Sequence, residues 1–434
     1  MVTPQVALIQ SGTASSRRYT MLQNEIAAKL YKSFLIGINA IQSVSVDSSG
    51  KEAFNGIFGD RFVAQRLPAI SSNFNYPVDT RKITTTVINS ATAGLSGNLL
   101  SLVSGINAAG SCSIQTKESL RYQAGRDGEI MFTALYDTGV ANNTRKIGLY
   151  DPNDGFWIGY VGIDFGVGIR KNTADIFIKK SDWNYDKLDG NGNSKFTIDT
   201  TKMNIYRITY GYLGVAPVIY QVYGGIEKGW ITFHVYDVAN KQTGTHIASP
   251  YLPIRVENTN TGNTTSVKIQ SGSIYCGTID GAGTGDSSSR EFSRKISMAG
   301  VTAGADKVII IFHNKTTLGG VTNKVQDLLT RIGIGVDGTK TVNITLYKLS
   351  AVPTGTIFTD VDTANSNMET STAGVISLVG SEILASWSLG KTDSTNIDVS
   401  KDNLILNPNE YAVFTFTSTG TSDIEFSNRW SELF

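Results

Sequence analysis

Three histidines, His234, His246 and His313, and two cysteines, Cys112 and Cys276, are the chain's full complement of the side chains that most often hold metals or move protons near neutral pH. His234 and His246 have no cysteine or third histidine at ligand spacing, so no zinc site is expected. His234 alternates with Trp230, Thr232 and Tyr236 along a strand-like run, which reads as a hydrogen-bonded histidine of a sheet. Asp189-Gly190-Asn191-Gly192-Asn193 begins like a calcium loop, but Ser194 and Thr200 stand where glycine and glutamate are required, and a hairpin tip is the expectation. Asp360 and Asp362 lack a third ligand, because Ala364 follows at that spacing. Gly390-Lys391-Thr392 ends like a phosphate loop, but Ala385 replaces its first glycine. Gly281–Gly285 lacks the strand–turn–helix setting of a dinucleotide site, and no G-x-S-x-G elbow occurs. Glu-x-Asp-x-Glu is absent as well, although two carboxylates for glycoside hydrolysis need only meet in space. No catalytic, cofactor or metal residue is named, and the protein is expected not to be an enzyme. The one binding signal is aromatic: Trp183 and Tyr185 flank a polar loop, as flat rings beside amides flank a sugar. A loop pinned by its own aromatics is the competing reading.

The elements that would carry such residues are strands. The 434 residues include 44 glycines, which with many Thr, Ser and Asn suit a turn-rich β protein. The formal charge of +1 gives no general attraction to nucleic acid or membrane, and neither is expected as a partner. No signal peptide or bilayer-length apolar run is read, so a soluble protein made in a host cytoplasm is expected. Cys112 and Cys276 read as free buried thiols, with a disulfide left open.

Along the chain, residues 1–19 read as an extended arm. Thr20 and Gln23 form a capping box before Leu22, Ile26, Leu30, Phe34 and Ile38, one stripe of an amphipathic helix. The stripe packs either on the chain's own body or on a neighbouring subunit, and it is the candidate assembly interface. The arm, helix and connector fill residues 1–80. Residues 81–280 read as a β-sandwich centred on the runs Glu129–Tyr136, Arg145–Tyr150 and Phe156–Arg170, the last threaded with Gly159, Gly162, Gly166 and Gly168. Residues 281–289 are small and polar and read as a linker. Residues 290–434 form a second sandwich, where Asp337-Gly338 predicts a hairpin turn between Arg331–Val336 and Thr339–Leu349. The expected fold is therefore all-β: two jelly-roll or lectin-like sandwiches after an N-terminal arm and one amphipathic helix.

An ordered set of residues carries a resemblance. Arg121–Gly125, Gly155–Val167, Asn204–Ile208, Gly211–Gly214, Asn258–Thr265, the Asn407–Glu410 turn and the closing Trp430-Ser431-Glu432 together resemble a β-rich structural protein family of virions in tailed phages and large DNA viruses. The resemblance runs from the connector to the C-terminus and leaves out the arm and helix. It implies a virion structural protein, such as a spike, fibre, decoration or tail-associated part, with other virion proteins as partners and no catalytic motif. A homo-oligomer is expected, a trimer by analogy with viral spikes and fibres. The uncharged edge run Ile83–Ile88 would be a hazard if left bare, and symmetric association is one way to cover it. The alternative is a carbohydrate-binding module that recognises a host-surface glycan.

Overall fold

The computed structural model describes residues 45–46, 52–55, 61–62, 65–123, 125–211, 213–280, 289–377, 381–399 and 404–433. The expected arm, the helix stripe of Leu22, Ile26, Leu30, Phe34 and Ile38, and the linker save Ser289 lie outside the described residues. The chain divides into two compact units. One comprises Met1–Gln115, Gly125–Pro250 and Ile254–Gly283, and the other Thr116–Ala124, Tyr251–Pro253 and Thr284–Phe434. Each is a sandwich of antiparallel sheets. Among the described residues the only helical element is the 3-10 turn Lys180–Asp182.

In the first unit a seven-stranded sheet runs Ala174–Lys179, Asp164–Lys171, Gly155–Val161, Asn143–Tyr150, Leu252–Asn260, Ser111–Leu120, Ile83–Ile88 from edge to edge. A nine-stranded sheet faces it. Its main path is Trp230–Tyr236, Val218–Tyr223, Asn204–Tyr210, Asp127–Tyr136, Lys268–Ser271, Leu99–Val103, Thr92–Ser96, and Ser273–Asp280 and Gln65–Asn73 continue beside Asp127–Tyr136. Period-two alternation explains the packing: Ile130, Phe132, Ala134 and Tyr136 turn inward and are at most 2% exposed. The Tyr136 hydroxyl donates to Ile158 O across the core at 2.9 Å, and the Tyr220 hydroxyl to Gly168 O at 3.1 Å. At one end a buried asparagine cluster ties the sheets: Asn143 Nδ2 donates to the side-chain oxygens of Asn258 and Asn260, both at 2.9 Å, and Asn258 Nδ2 donates to Val267 O at 2.8 Å. The Asn258–Thr265 run thus has a structural task.

Three expectations change on folding. Gln65–Asn73, read as connector, is a nine-residue strand paired with Ser273–Asp280. The run Phe156–Arg170 is not one strand but a hairpin, turned at Gly162 with φ +63°, where glycine suits the first position of a two-residue turn. In the second unit Asp337-Gly338 makes no hairpin. Gln326–Gly338 pairs with Ser422–Leu433 to its last residue, while Val342–Leu349 pairs with Tyr411–Ser418 and Glu382–Leu389 in the facing sheet. Sheet pairing outweighed the local turn preference.

The second unit's two main sheets are five- and six-stranded, with a two-stranded ribbon Thr317–Leu318/Val321–Thr322 besides. Their core joins Ile310, Phe312, Ile344, Phe414 and Phe416 to Ile332, Ile334, Phe426 and Trp430. Phe414 meets Phe426 at 4.6 Å and Phe312 meets Trp430 edge-on at 5.5 Å, so the aromatic C-terminal run closes the core. Among the described residues no helix is long and apolar enough to cross a membrane.

Candidate functional site

Two outer sheet faces of the first unit gather polar and aromatic side chains. On the seven-stranded sheet, Gly148, Gly159, Gly166 and Gly168 share a face with Lys146, Tyr150, Trp157, Phe177, Arg255 and Glu257, because register places them opposite one another. A Cβ at Gly168 would overlap the Trp157 ring, so the indole lies flat on that strand because the residue beneath it is glycine. Trp157 stacks on Phe177 at 5.6 Å, and Lys146 Nζ sits 4.5 Å over it. Asp175 accepts Lys146 Nζ at 2.6 Å and Arg170 Nε and Nη2 at 2.8 and 2.9 Å. Burial works against its ionisation, but Arg170 and Lys146 outweigh that and hold the carboxyl below the usual range. A general acid needs the opposite shift. The rings here are already covered by cations, and Trp157 and Tyr150 are fully buried.

The outer face of the nine-stranded sheet is different. One cross-strand row reads Tyr275, Met131, Arg207, Gln221, Thr232, each opposite the next in register. Beside it, Tyr223 is paired with Trp230. Arg207 Nε donates to Gln221 Oε1 at 2.6 Å, and Gln221 Nε2 donates to Thr232 Oγ1 at 2.9 Å. The chain of donors leaves the Thr232 hydroxyl proton free to give onward. Arg207 Cζ lies 4.3 Å over the Trp230 ring, and Tyr223 meets that ring edge-on at 5.6 Å. Both rings are half-buried and keep solvent-facing surface. Behind Arg207 stands Glu129, 0% exposed, which accepts Arg66 Nε at 2.8 Å and lies 3.6 Å from Arg207 Nη1. Burial lowers Arg207 to about 10, opposed by Glu129, and it stays charged at neutral pH. Burial, with Glu129 next, pushes the Tyr275 phenol up to about 12.

The two residues read as sugar contacts part company. Trp183 is 3% exposed and packs on Phe233 at 4.2 Å, so its ring belongs to the core and offers no platform. Tyr185 is 62% exposed, and its backbone N–H bonds Phe233 O, which sets it along the edge of Trp230–Tyr236. It stands at the rim of the same sheet. A register shift in that strand parts His234 from Trp230 and Thr232: His234 pairs with the buried Tyr220, at 5% exposure. Burial pushes His234 and His246 down to about 4, with Lys171 contributing at His246. His313 Nδ1 meets Glu369 at 2.7 Å and its ring stacks on Tyr411 at 4.3 Å.

The loop carboxylates are spent on the backbone. Asp186 accepts the N–H groups of Leu188 and Ser194, and Asp189 accepts that of Asn191. Asp360 takes Lys315 Nζ at 2.7 Å. No group of three or more His, Cys, Asp or Glu side chains placed to hold a metal occurs among the described residues. Cys112 and Cys276 are both buried and in no disulfide, and burial pushes the Cys112 thiol up to about 12.

The row Arg207–Gln221–Thr232 was missed in the sequence. Each residue sits at an outward position of its own strand, but no spacing within the chain announces that register aligns them.

No family model matches the chain, and no curated protein matches it. Among solved structures it is similar to a cellulose-induced protein, Cip1 (16% identity, 48% of this chain and 96% of that chain, TM-score 0.32). It is also similar to a Bacillus licheniformis β-glucanase (9%, 49% and 99%, TM-score 0.33) and to the carbohydrate recognition domain of Emp47p (12%, 48% and 94%, TM-score 0.30). Likenesses this partial and this distant carry no inference about ligand or activity.

Proposed function

We propose that the protein is a glycan-binding β-sandwich protein without catalysis, and that the outer face of its nine-stranded sheet is the contact surface. The observation that carries this is the row Arg207–Gln221–Thr232 laid beside the half-buried rings of Trp230 and Tyr223. A sugar presents an apolar C–H face and an edge of hydroxyls. Ring surface takes the first, and Thr232 Oγ1 and the Arg207 Nη groups donate to the second. The long side chains are already held by hydrogen bonds, so little rotamer freedom is lost on binding. Tyr185 extends the surface at its rim. The test is a glycan array probed with the full chain and with Trp230→Ala and Gln221→Ala. Signal that disappears in both variants supports the reading, and an array blank for the wild type sinks it.

A second reading is a component of a viral particle, self-associated and partnered by other virion proteins, with its N-terminal residues as the fastening. It rests on the ordered residues of the resemblance and on one structural observation. Ile83–Ile88 is an edge strand of the seven-stranded sheet, has no charge, and exposes five of its six side chains. The two readings are compatible, since a particle-borne protein can hold a host glycan. Light scattering tests self-association, and labelled particles seen in negative stain test location.

A further inference from the structure

The second unit contains a group that neither reading uses. Asp327 and Glu432 are register partners on adjacent strands, Gln326–Gly338 and Ser422–Leu433, and both are 0% exposed. Two carboxylates facing each other away from water do not both ionise.

Neighbouring amides decide which one does. Asn314 Nδ2 donates to two backbone carbonyls, Val325 O at 2.8 Å and Leu406 O at 3.0 Å. Those acceptors fix its orientation, so its Oδ1 must accept. It accepts from Asn323 Nδ2 at 2.6 Å and Asn367 Nδ2 at 2.8 Å. The amide of Asn367 is thereby oriented too, and its nitrogen also donates to Asp327 Oδ2 at 3.2 Å. Two oxygens remain without a partner, Asp327 Oδ1 and Asn367 Oδ1. They are the carboxyl's other oxygen and the amide's own oxygen, in two groups that already share a hydrogen bond. Glu432, by contrast, accepts from the Ser366 hydroxyl, from Asn367 N at 3.2 Å and from Trp430 Nε1 at 3.3 Å. Glu432 has the donors an anion needs, and Asp327 has an acceptor opposite it.

We propose that Asp327 keeps its proton in the folded protein and donates it from Oδ1 to Asn367 Oδ1, making a two-bond acid–amide pair that ties the strand Gln326–Gly338 to the 366–367 loop, whose Asn367 N–H holds Glu432 of the neighbouring strand. A single proton satisfies both orphaned oxygens. Burial first, and the Glu432 charge second, hold the Asp327 carboxyl well above the usual carboxylate range. The charged groups around it are Glu432 and, opposite Glu432 on Ser289–Val301, Arg290, while Gly304–Asn314 and the loops at 323 and 366–367 present Asn314, Asn323, Ser366 and Asn367. Unfolded, Asp327 ionises near pH 4. Unfolding therefore releases a proton above that pH, and the unit's unfolding constant rises about tenfold per pH unit until the folded carboxyl itself ionises.

The experiment uses the full chain. Hydrogen exchange of Gln326–Gly338 and Ser422–Leu433 is followed from pH 5 to 9, corrected for intrinsic rates, in wild type and Asp327→Asn. The amide variant can pair with Asn367 by the same two bonds without a titrating proton. Its opening constant is expected to lack the tenfold rise per pH unit, and an unchanged slope overturns the proposal. Carbon-13 labelling of aspartate in the wild type reads the protonation directly, whether or not the variant folds. One carboxylic-acid signal at pH 7 is expected, and its absence overturns the proposal. So does protection by added calcium that Asp327→Asn abolishes, because the orphaned oxygens would then belong to a cation.

Discussion

Glu129 is the residue whose removal tests the architecture of the proposed binding face most sharply. Its carboxylate has no exposure, and its two cationic partners differ: the Arg207 side chain is 15% exposed and the Arg66 side chain 49%. Glu129→Gln leaves Arg207 largely buried with no counter-charge. Breaking a buried pair from one side costs about 3–5 kcal/mol, and the residual exposure of Arg207 places this case near the lower end, about 3 kcal/mol. Arg66→Ala removes an exposed partner and costs below about 1 kcal/mol. Arg207→Met leaves Glu129 with Arg66 alone and costs about 2–3 kcal/mol, including loss of the bond to Gln221. Because Glu129 and Arg207 interact, the double variant should lose about 1–2 kcal/mol less than the sum of the singles. Urea unfolding of the full chain, with hydrogen exchange of Asp127–Tyr136 to locate the effect, measures all four. A Glu129→Gln loss under about 1 kcal/mol, or an Arg66→Ala loss equal to it, would refute the reasoning.

Trp230→Ala should weaken glycan binding about 30-fold, the roughly 2 kcal/mol of a central aromatic anchor, in titration calorimetry against whichever glycan the array identifies. Equal affinity would move the site elsewhere. The folded values of His234 and His246 lie near 4, below the ordinary 6.5, so both are neutral when folded and gain protons on unfolding. Their stabilisation is complete above pH 6.5 and falls as pH drops toward 4, by about 1.4 kcal/mol per pH unit for each histidine. Urea midpoints of His246→Gln should lose part of that slope, and an identical slope would count against neutral burial. Thr85→Lys puts a charge on the bare edge Ile83–Ile88 and should reduce self-association in light scattering, whereas an unchanged mass would show that this edge is not a contact.

Much of the strand content was legible because alternation needs only neighbouring residues. Glu129–Tyr136 alternates in the sequence, and Ile130, Phe132, Ala134 and Tyr136 do line the core. The sandwich class follows from many such runs separated by glycine and asparagine turns. Trp183 shows the limit. An indole beside a polar loop looks the same whether it faces solvent or core, and its packing on Phe233, fifty residues on, decided the matter.

Composition and local pattern by themselves determined that this is an all-β protein of the sandwich class, because burial of alternating apolar residues is a short-range property. Partnership between strands was left to the tertiary structure. Asp337-Gly338 stays within its sheet because Ser422–Leu433 pairs with Gln326–Gly338 to its end. The register shift at Tyr220/Gln221 parted His234 from Thr232. Arg207, Gln221 and Thr232 came into one row, and Asp327 came opposite Glu432, through pairings between residues 11 to more than 100 positions apart. A one-residue slip in any of those ladders would turn the side chains to the other face, and nothing local to a strand says which register wins.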